Sequence, residues 1–256
     1  MSITILGINK AMSNEALSNF IKDLDSLSEK NKTKLTVPSQ GKSYNFSLFN
    51  VQQHKSVLKT AFEGFTGVIK SNNIYNDILK DNCEEPVEFS LADRSYVLLG
   101  LRKESLSNNY IVDDERHDLN KLPEPNFDFK YEDVLEYNGI TVEVVIPTLA
   151  RDTAMNKKLI SELSKLTDNK KEKETLNMAV THEVVKFIKS VKLGDNIFVF
   201  DDFNIYESKK LVESLPLKLN NEVLLWIGEF KKKEEKNLTL EDGTIVEIDA
   251  SFLASD

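Results

Sequence analysis

With one cysteine in 256 residues, Cys83, the chain has no intrachain disulfide framework and no cysteine-rich zinc site. It therefore needs no oxidising compartment. Arginine is equally scarce. Arg94, Arg102, Arg116 and Arg151 are scattered, so no cluster for bidentate phosphate capture is visible. Positive charge is short overall: 33 basic against 42 acidic residues leave a net charge of −9. That balance argues against nucleic acid as a partner, because such binding needs a cationic surface that displaces counterions. Long apolar runs are missing too. VEVVIP and NIFVF are strand-sized, far below the roughly 18 residues of a membrane helix. The opening MSITILGINK has a short apolar run with no basic residues before it, unlike a signal peptide. The expectation is a soluble intracellular protein without a membrane partner.

What is present reads as an α+β chain, helix-rich with several short antiparallel β-hairpins. Its length suits one large domain or two small ones. Residues 13–30 form an amphipathic helix pattern, with Leu17, Phe20, Ile21, Leu24 and Leu27 on one face and Ser13 as N-cap. The polar EKNKTK that follows sets it off as an N-terminal segment, 1–34, from an α+β domain at 35–256. An amphipathic helix on a polar tether is suited to a partner's groove, with Leu17, Phe20, Leu24 and Leu27 as anchors. It is equally suited to covering its own domain.

Residues 34–49 read as a hairpin: Leu35 and Val37 alternate before the turn at Pro38–Gly41, and Tyr44, Phe46 and Leu48 after it. Asn50 caps a helix carrying Val51, Val57, Leu58, Ala61 and Phe62, and another helix follows around 68–80. Ser90 and Asp93 approximate a capping box, opening a helix with Leu91, Leu98, Leu99 and Leu101. Arg102 and Lys103 near its end suit the dipole. Polar residues and two prolines make 107–126 the most loop-like stretch, the alternative to the N-terminal helix as a partner contact, and the place where the domain would divide into two lobes. A second β unit alternates Phe127, Phe129 and Tyr131, then turns at Asn138-Gly139 into TVEVVIP. Helices are expected at about 153–166, 172–191, 205–215 and 221–235. In the last, Trp226 and Phe230 share an apolar face and read as core anchors. A final hairpin is expected around Asp242-Gly243.

Each chemical motif has a plainer explanation. Gly41-Lys42-Ser43 resembles the end of a phosphate-binding loop, but Thr36 stands where the first glycine belongs and a strand follows instead of a helix. His182-Glu183 begins like a zinc-protease motif, but Lys186 replaces the second ligand. The other histidines, His54 and His117, stand apart. DDERHD at 113–118 lacks the alternating ligands and turn glycine of a calcium loop and reads as a solvated acidic loop. Cys83 has no neighbouring base. Neither a metal nor another cofactor is expected, nor a catalytic site. Asp201-Asp202 and Glu84-Glu85 are the carboxylates a hydrolase or transferase would draw on if its site assembled from distant segments.

Three segments, in order, resemble the baseplate hub subunit and hub-assembly protein family of contractile-tailed bacteriophages. They are LTVPSQGKSYNFSLFNVQQHKSVLKTA at 35–61, FSLADRSYVLLGLRKESLSN at 89–108 with its Leu101-Arg102 and Ser105, and VESLPLKLNNEVLLWIGEF at 212–230. The ending IDASFL also fits. The resemblance implies no catalytic residues. It implies a structural or assembly protein that binds other hub or tail proteins in the host cytoplasm and stays in the virion, or else a transient assembly chaperone absent from it.

Overall fold

The computed structural model describes residues 32–112, 115–166 and 171–253, with side chains in the last stretch from 174 onward. The expected helix at 13–30, with Leu17, Phe20, Leu24 and Leu27, lies outside the described residues. Hairpin β1 (Lys32–Val37) and β2 (Lys42–Ser47) comes first. Helices α1 (Val51–Thr60), α2 (Gly64–Asn82) and α3 (Leu91–Ser105) follow. A small hairpin, β3 (Asn109–Val112) and β4 (Glu115–Asp118), precedes β5 (Glu132–Tyr137) and β6 (Ile140–Val145). Then come α4 (Leu149–Leu163), α5 (Lys171–Val185), β7 (Ile188–Leu193) and β8 (Asn196–Val199). Finally α6 (Ile205–Glu213) and α7 (Leu217–Asn237) lead to an irregular tail. Strands β5 to β8 make one four-stranded antiparallel sheet in sequence order. The fold is α+β, as expected.

Local chemistry explains the helix starts. The Asn50 side chain accepts from the Gln53 N–H at 2.9 Å while the Asn50 N–H donates to Gln53 Oε1 at 3.1 Å, satisfying two groups that no helix bond can reach. Asp93 returns the same bond to the Ser90 N–H at 2.7 Å. It also takes the Ser39 N–H at 2.7 Å and the Ser39 hydroxyl at 2.6 Å. One carboxylate thereby caps α3 and ties the first hairpin to it. Burial pushes the Asp93 carboxyl up, against these hydrogen bonds.

Gly41 sits at φ 60° with its N–H on Pro38 O at 3.1 Å, and Lys42 opens β2 directly. The Gly-Lys-Ser run is a hairpin turn. Asn138 and Gly139 both take positive φ, as the tight turn between β5 and β6 requires.

Several expectations need correction. Residues 109–112 and 115–118 are strands, not loop: β3 and β4 pair in register, with Tyr110 opposite His117. Of the DDERHD run, 115–118 is therefore strand, and Asp118 accepts from the Asn120 N–H at 2.9 Å. Phe127, Phe129 and Tyr131 lie ahead of β5 in irregular backbone, with Phe127 tilted against Phe129 and Phe129 edge-on to Tyr131, rather than alternating across a sheet. The helix expected to reach 191 ends at Val185. Its remainder is β7, which pairs with β6 around a bulge at Glu143/Val144. Helix α4 starts at Leu149 because Thr148 caps it, accepting from the Arg151 N–H. The expected terminal hairpin is a turn at 240–244 with one isolated bridge, Thr239 to Ile245.

The main core takes Val37 and Phe46 from the first hairpin, Val97, Leu98 and Leu101 from α3, Val142 and Val144 from β6, and Phe187 and Val191 beside β7. Val223, Trp226 and Phe230 of α7 join it, as expected of Trp226 and Phe230, with Tyr110 and Leu119 from within 107–126. Helix α3 runs through this core and buries residues on most of its circumference, Asp93, Ser95 and Arg102 among them. Arg102, read from the sequence as a cation suited to the helix end, is 2% exposed. Its guanidinium donates from Nε to Phe252 O at 2.8 Å and from Nη1 to Ser107 O at 2.7 Å. Tyr75 Oη donates to Asp249 O at 2.7 Å, and the Tyr110 hydroxyl bonds Glu247. These three buried side chains hold the C-terminal tail in place.

Candidate partner-binding surface

Helices α1 and α2 meet at a tight corner. Thr60, buried at the end of α1, donates its hydroxyl to Val57 O at 2.6 Å. Gly67 on α2 lies so close that a Cβ there would fall 2.0 Å from Thr60 O. This close approach turns the intervening apolar residues outward. Phe62 is 91% exposed and Phe65 44%. Only Val57 of the apolar face expected for α1 is fully buried; Val51, Leu58 and Phe62 face solvent.

Next to this corner, Ile160, Leu163 and Leu166 at the end of α4 and Leu176 on α5 complete an open groove of about 700 Å³ with Phe65. A small satellite core of Ile69, Leu159, Leu163, Met178 and Ile205 supports its floor. Leu176 is 65% exposed, and Val180, one turn on, is also exposed. The charged groups at the rim, Glu63 and Lys70, pair with each other. An apolar groove fringed by exposed aromatic and aliphatic side chains suits protein recognition better than chemistry on a polar substrate.

The polar clusters have other roles. Asp152, 1% exposed, accepts from Asn76 Nδ2 at 2.9 Å and Asn156 Nδ2 at 3.2 Å, with Arg94 Nη1 at 3.5 Å. Lys186 Nζ lies 3.8 Å away and bonds Glu183 Oε1 at 2.8 Å. Lys231 takes Glu183 Oε2 at 2.8 Å, and His182 Nδ1 lies 3.7 Å from Glu183 Oε1. The network pins α2, α3, α4, α5 and α7 to one another, and its central carboxylate is sealed from solvent. Nothing in the motif reading pointed to it. The available signal was weak: Asn76, Asp152 and Asn156 recur at positions their helices bury.

Burial would raise the Glu183 carboxyl, but the His182 hydrogen bond and the Lys186 and Lys231 ammoniums outweigh it and hold the group below the usual carboxylate range. A depressed folded pKa contributes stability that is fully present above the unfolded value and is lost as pH falls from there through the folded one. Glu183→Gln should therefore melt below the parent protein at neutral pH, and the gap should begin to narrow once pH drops below 4.5, the unperturbed value. Glu183 is half-exposed, so solvent damps the size of the gap. Thermal melts from pH 7 to pH 3 check this; a gap that stays constant would place the stabilisation elsewhere.

The carboxylate pairs do not converge. Glu84 and Glu85 line a second groove of about 610 Å³ between α2 and α4, where Glu84 pairs with Lys32 and is held below its ordinary range by that bond. Asp201 instead receives Arg151 Nε at 2.8 Å, and Arg151 Nη2 donates to Ile188 O. Cys83 lines the second groove without a histidine, and burial pushes its thiol up. Of the histidines, His117 Nδ1 sits 3.2 Å from Asp242, while Nε2 of His54 and of His182 are buried without a hydrogen-bond partner. Among the described residues, no group of three His, Cys, Asp or Glu side chains is placed to hold a metal ion. No described helix is long and apolar enough to cross a membrane.

No curated protein and no solved structure matches the chain. Residues 30–236, from the approach to β1 through almost all of α7, match the model of the T4 bacteriophage base plate protein family, and the chain belongs to that family.

Proposed function

We propose that this baseplate protein is a structural or assembly component of the baseplate hub, binding other hub or tail proteins and performing no catalysis. The observation that carries this reading is the open groove between the α1–α2 corner and α4–α5, with Phe62, Phe65 and Leu176 exposed around it. Exposed apolar surface of this kind marks an interaction site. The order of the three segments at 35–61, 89–108 and 212–230 supports the hub in particular. The protein would act in the host cytoplasm during assembly and remain in the finished tail. Residues 1–34 would serve as a separate contact, with Leu17, Phe20, Leu24 and Leu27 as anchors, beside one α+β domain at 35–256.

Two measurements test this. Mass spectrometry of purified phage particles should find the protein at a stoichiometry set by the hub; its absence would make it a transient assembly factor. Deleting residues 1–30, with circular dichroism confirming a folded remainder, should weaken pull-down of tail proteins. Undiminished capture by the folded truncation would exclude the N-terminal anchors and leave the groove, where Phe65→Ser and Leu176→Ser are the variants to compare.

A further inference from the structure

The four-stranded sheet has two edges of opposite character. β5 carries Glu132, Asp133 and Glu136, the charges that ordinarily keep an edge from pairing, and α7 packs against it. β8 reads Asn-Ile-Phe-Val, all four residues exposed, with no lysine, proline or bulge. Ile197 is 60% exposed, Phe198 and Val199 38% each.

This edge is rigid. At one end, Gly194 at φ 59° makes the two-residue turn that joins β7 to β8. At the other, Phe200 is fully buried, Arg151 bonds Asp201, and Lys158 Nζ donates to Phe203 O at 3.1 Å. The register fixes which backbone groups remain open. Leu193 faces Asn196 across the turn and Val191 faces Phe198. Flanking a two-residue turn, these are the hydrogen-bonded pairs. Among the described residues, Ile197 therefore aims its N–H and C=O away from the sheet, and Val199 its N–H, while the Val199 C=O heads the 3-10 turn at Phe200–Asp202.

The charge around the edge limits what can pair with it. Asp195 precedes the strand and Asp201 and Asp202 follow it, all exposed. A second copy pairing antiparallel through both open residues would set Ile197 against Val199, and so Asp195 against Asp201 of the other chain. Arg151 offsets Asp201, but the pairing would still gather Asp195 and Asp202 of both chains along one seam, and like charges brought together are destabilising. A strand with basic residues at its ends meets attraction at both.

We propose that the free edge of β8 is a strand-docking site, occupied by an extended segment of another protein with alternating apolar side chains and basic residues at its ends. Backbone bonds to Ile197 and Val199 would supply affinity, and the flanking aspartates would select the partner. This surface shares no residue with the segment 1–34 or with the groove, so its failure leaves the hub reading untouched.

The test uses the full chain, isotope-labelled, with two probe peptides: Lys-Lys-Thr-Val-Thr-Val-Thr-Val-Lys-Lys and its counterpart with glutamates at the ends. At saturating concentration the lysine-ended peptide should slow amide exchange at Ile197 and Val199 by about tenfold or more, and the glutamate-ended peptide should not. Ile197→Pro removes an outward donor and should abolish that binding. Should it fail to fold, the exposed-site variant Val199→Ser should weaken it. No protection by either peptide, equal protection by both, or protection confined to other amides would overturn the proposal. So would protection that appears without peptide and grows with protein concentration alongside dimer in sedimentation, because the occupant would then be a second copy.

Discussion

Arg102→Ala is expected to destabilise the fold by about 3–5 kcal/mol, in the range seen when one member of a buried charged hydrogen-bond set is removed. The guanidinium reaches two backbone carbonyls, Phe252 O in the interior and the part-buried Ser107 O. It also lies over the rings of Tyr110 and Phe252, at 5.7 and 5.8 Å from their centroids. Truncation therefore leaves two acceptors without their donor and a void the size of the side chain. Arg102→Lys should recover little, because one ammonium on a flexible stem cannot reproduce the fork. Chemical denaturation gives the stability change. Limited proteolysis should show cleavage appearing within 238–253, where the tail loses its hold. A loss under about 1 kcal/mol, or cleavage unchanged, would mean that Tyr75, Tyr110 and the burial of Phe252 hold the tail without Arg102.

Phe230→Ala should cost a similar amount, about 3–5 kcal/mol, the usual penalty for emptying a buried aromatic site. Phe230 is 4% exposed and sits between two rings, 5.2 Å from Phe129 and 5.6 Å from Phe187. Trp226 packs edge-on to Phe187 at 6.3 Å, so Trp226→Ala acts on the same cluster and the pair should not be additive. For a chain of ordinary stability either loss takes away a large share of the total. A variant that keeps its melting point but loses a baseplate partner would reassign this face of α7 to an interface.

The parts of the fold legible in the chain are those whose causes are local. Asn50 with Gln53 and Ser90 with Asp93 announce helix starts because the capping bond spans three residues. Asn138-Gly139 announces a turn because few residues tolerate positive φ. Trp226 and Phe230 reveal a packed face because one turn of helix brings them together. β7 was hidden for the opposite reason. Ile188 and Val191 also fit a continuing helix, and only pairing with β6, some forty-five residues away in the chain, makes them strand.

The candidate surfaces divide in the same way. An amphipathic pattern marks Leu17, Phe20, Leu24 and Leu27 within one short segment. The groove draws on 63–70 and on 160–176, two stretches with no common pattern, and Phe62 looked like a core residue until the α1–α2 corner turned it outward. The exposure of β8 likewise depends on its place at the end of the sheet order, since NIFV read alone is what a buried strand would show. Composition, capping and turn chemistry by themselves determined the α+β class, most helix starts, the β1–β2 hairpin, the turn between β5 and β6 and the weakness of every catalytic motif. Tertiary structure decided which apolar residues face solvent, which strand forms the open edge, and that Arg102 and Asp152 lie in the interior. Burial is a property of neighbours that the chain brings together only when it folds.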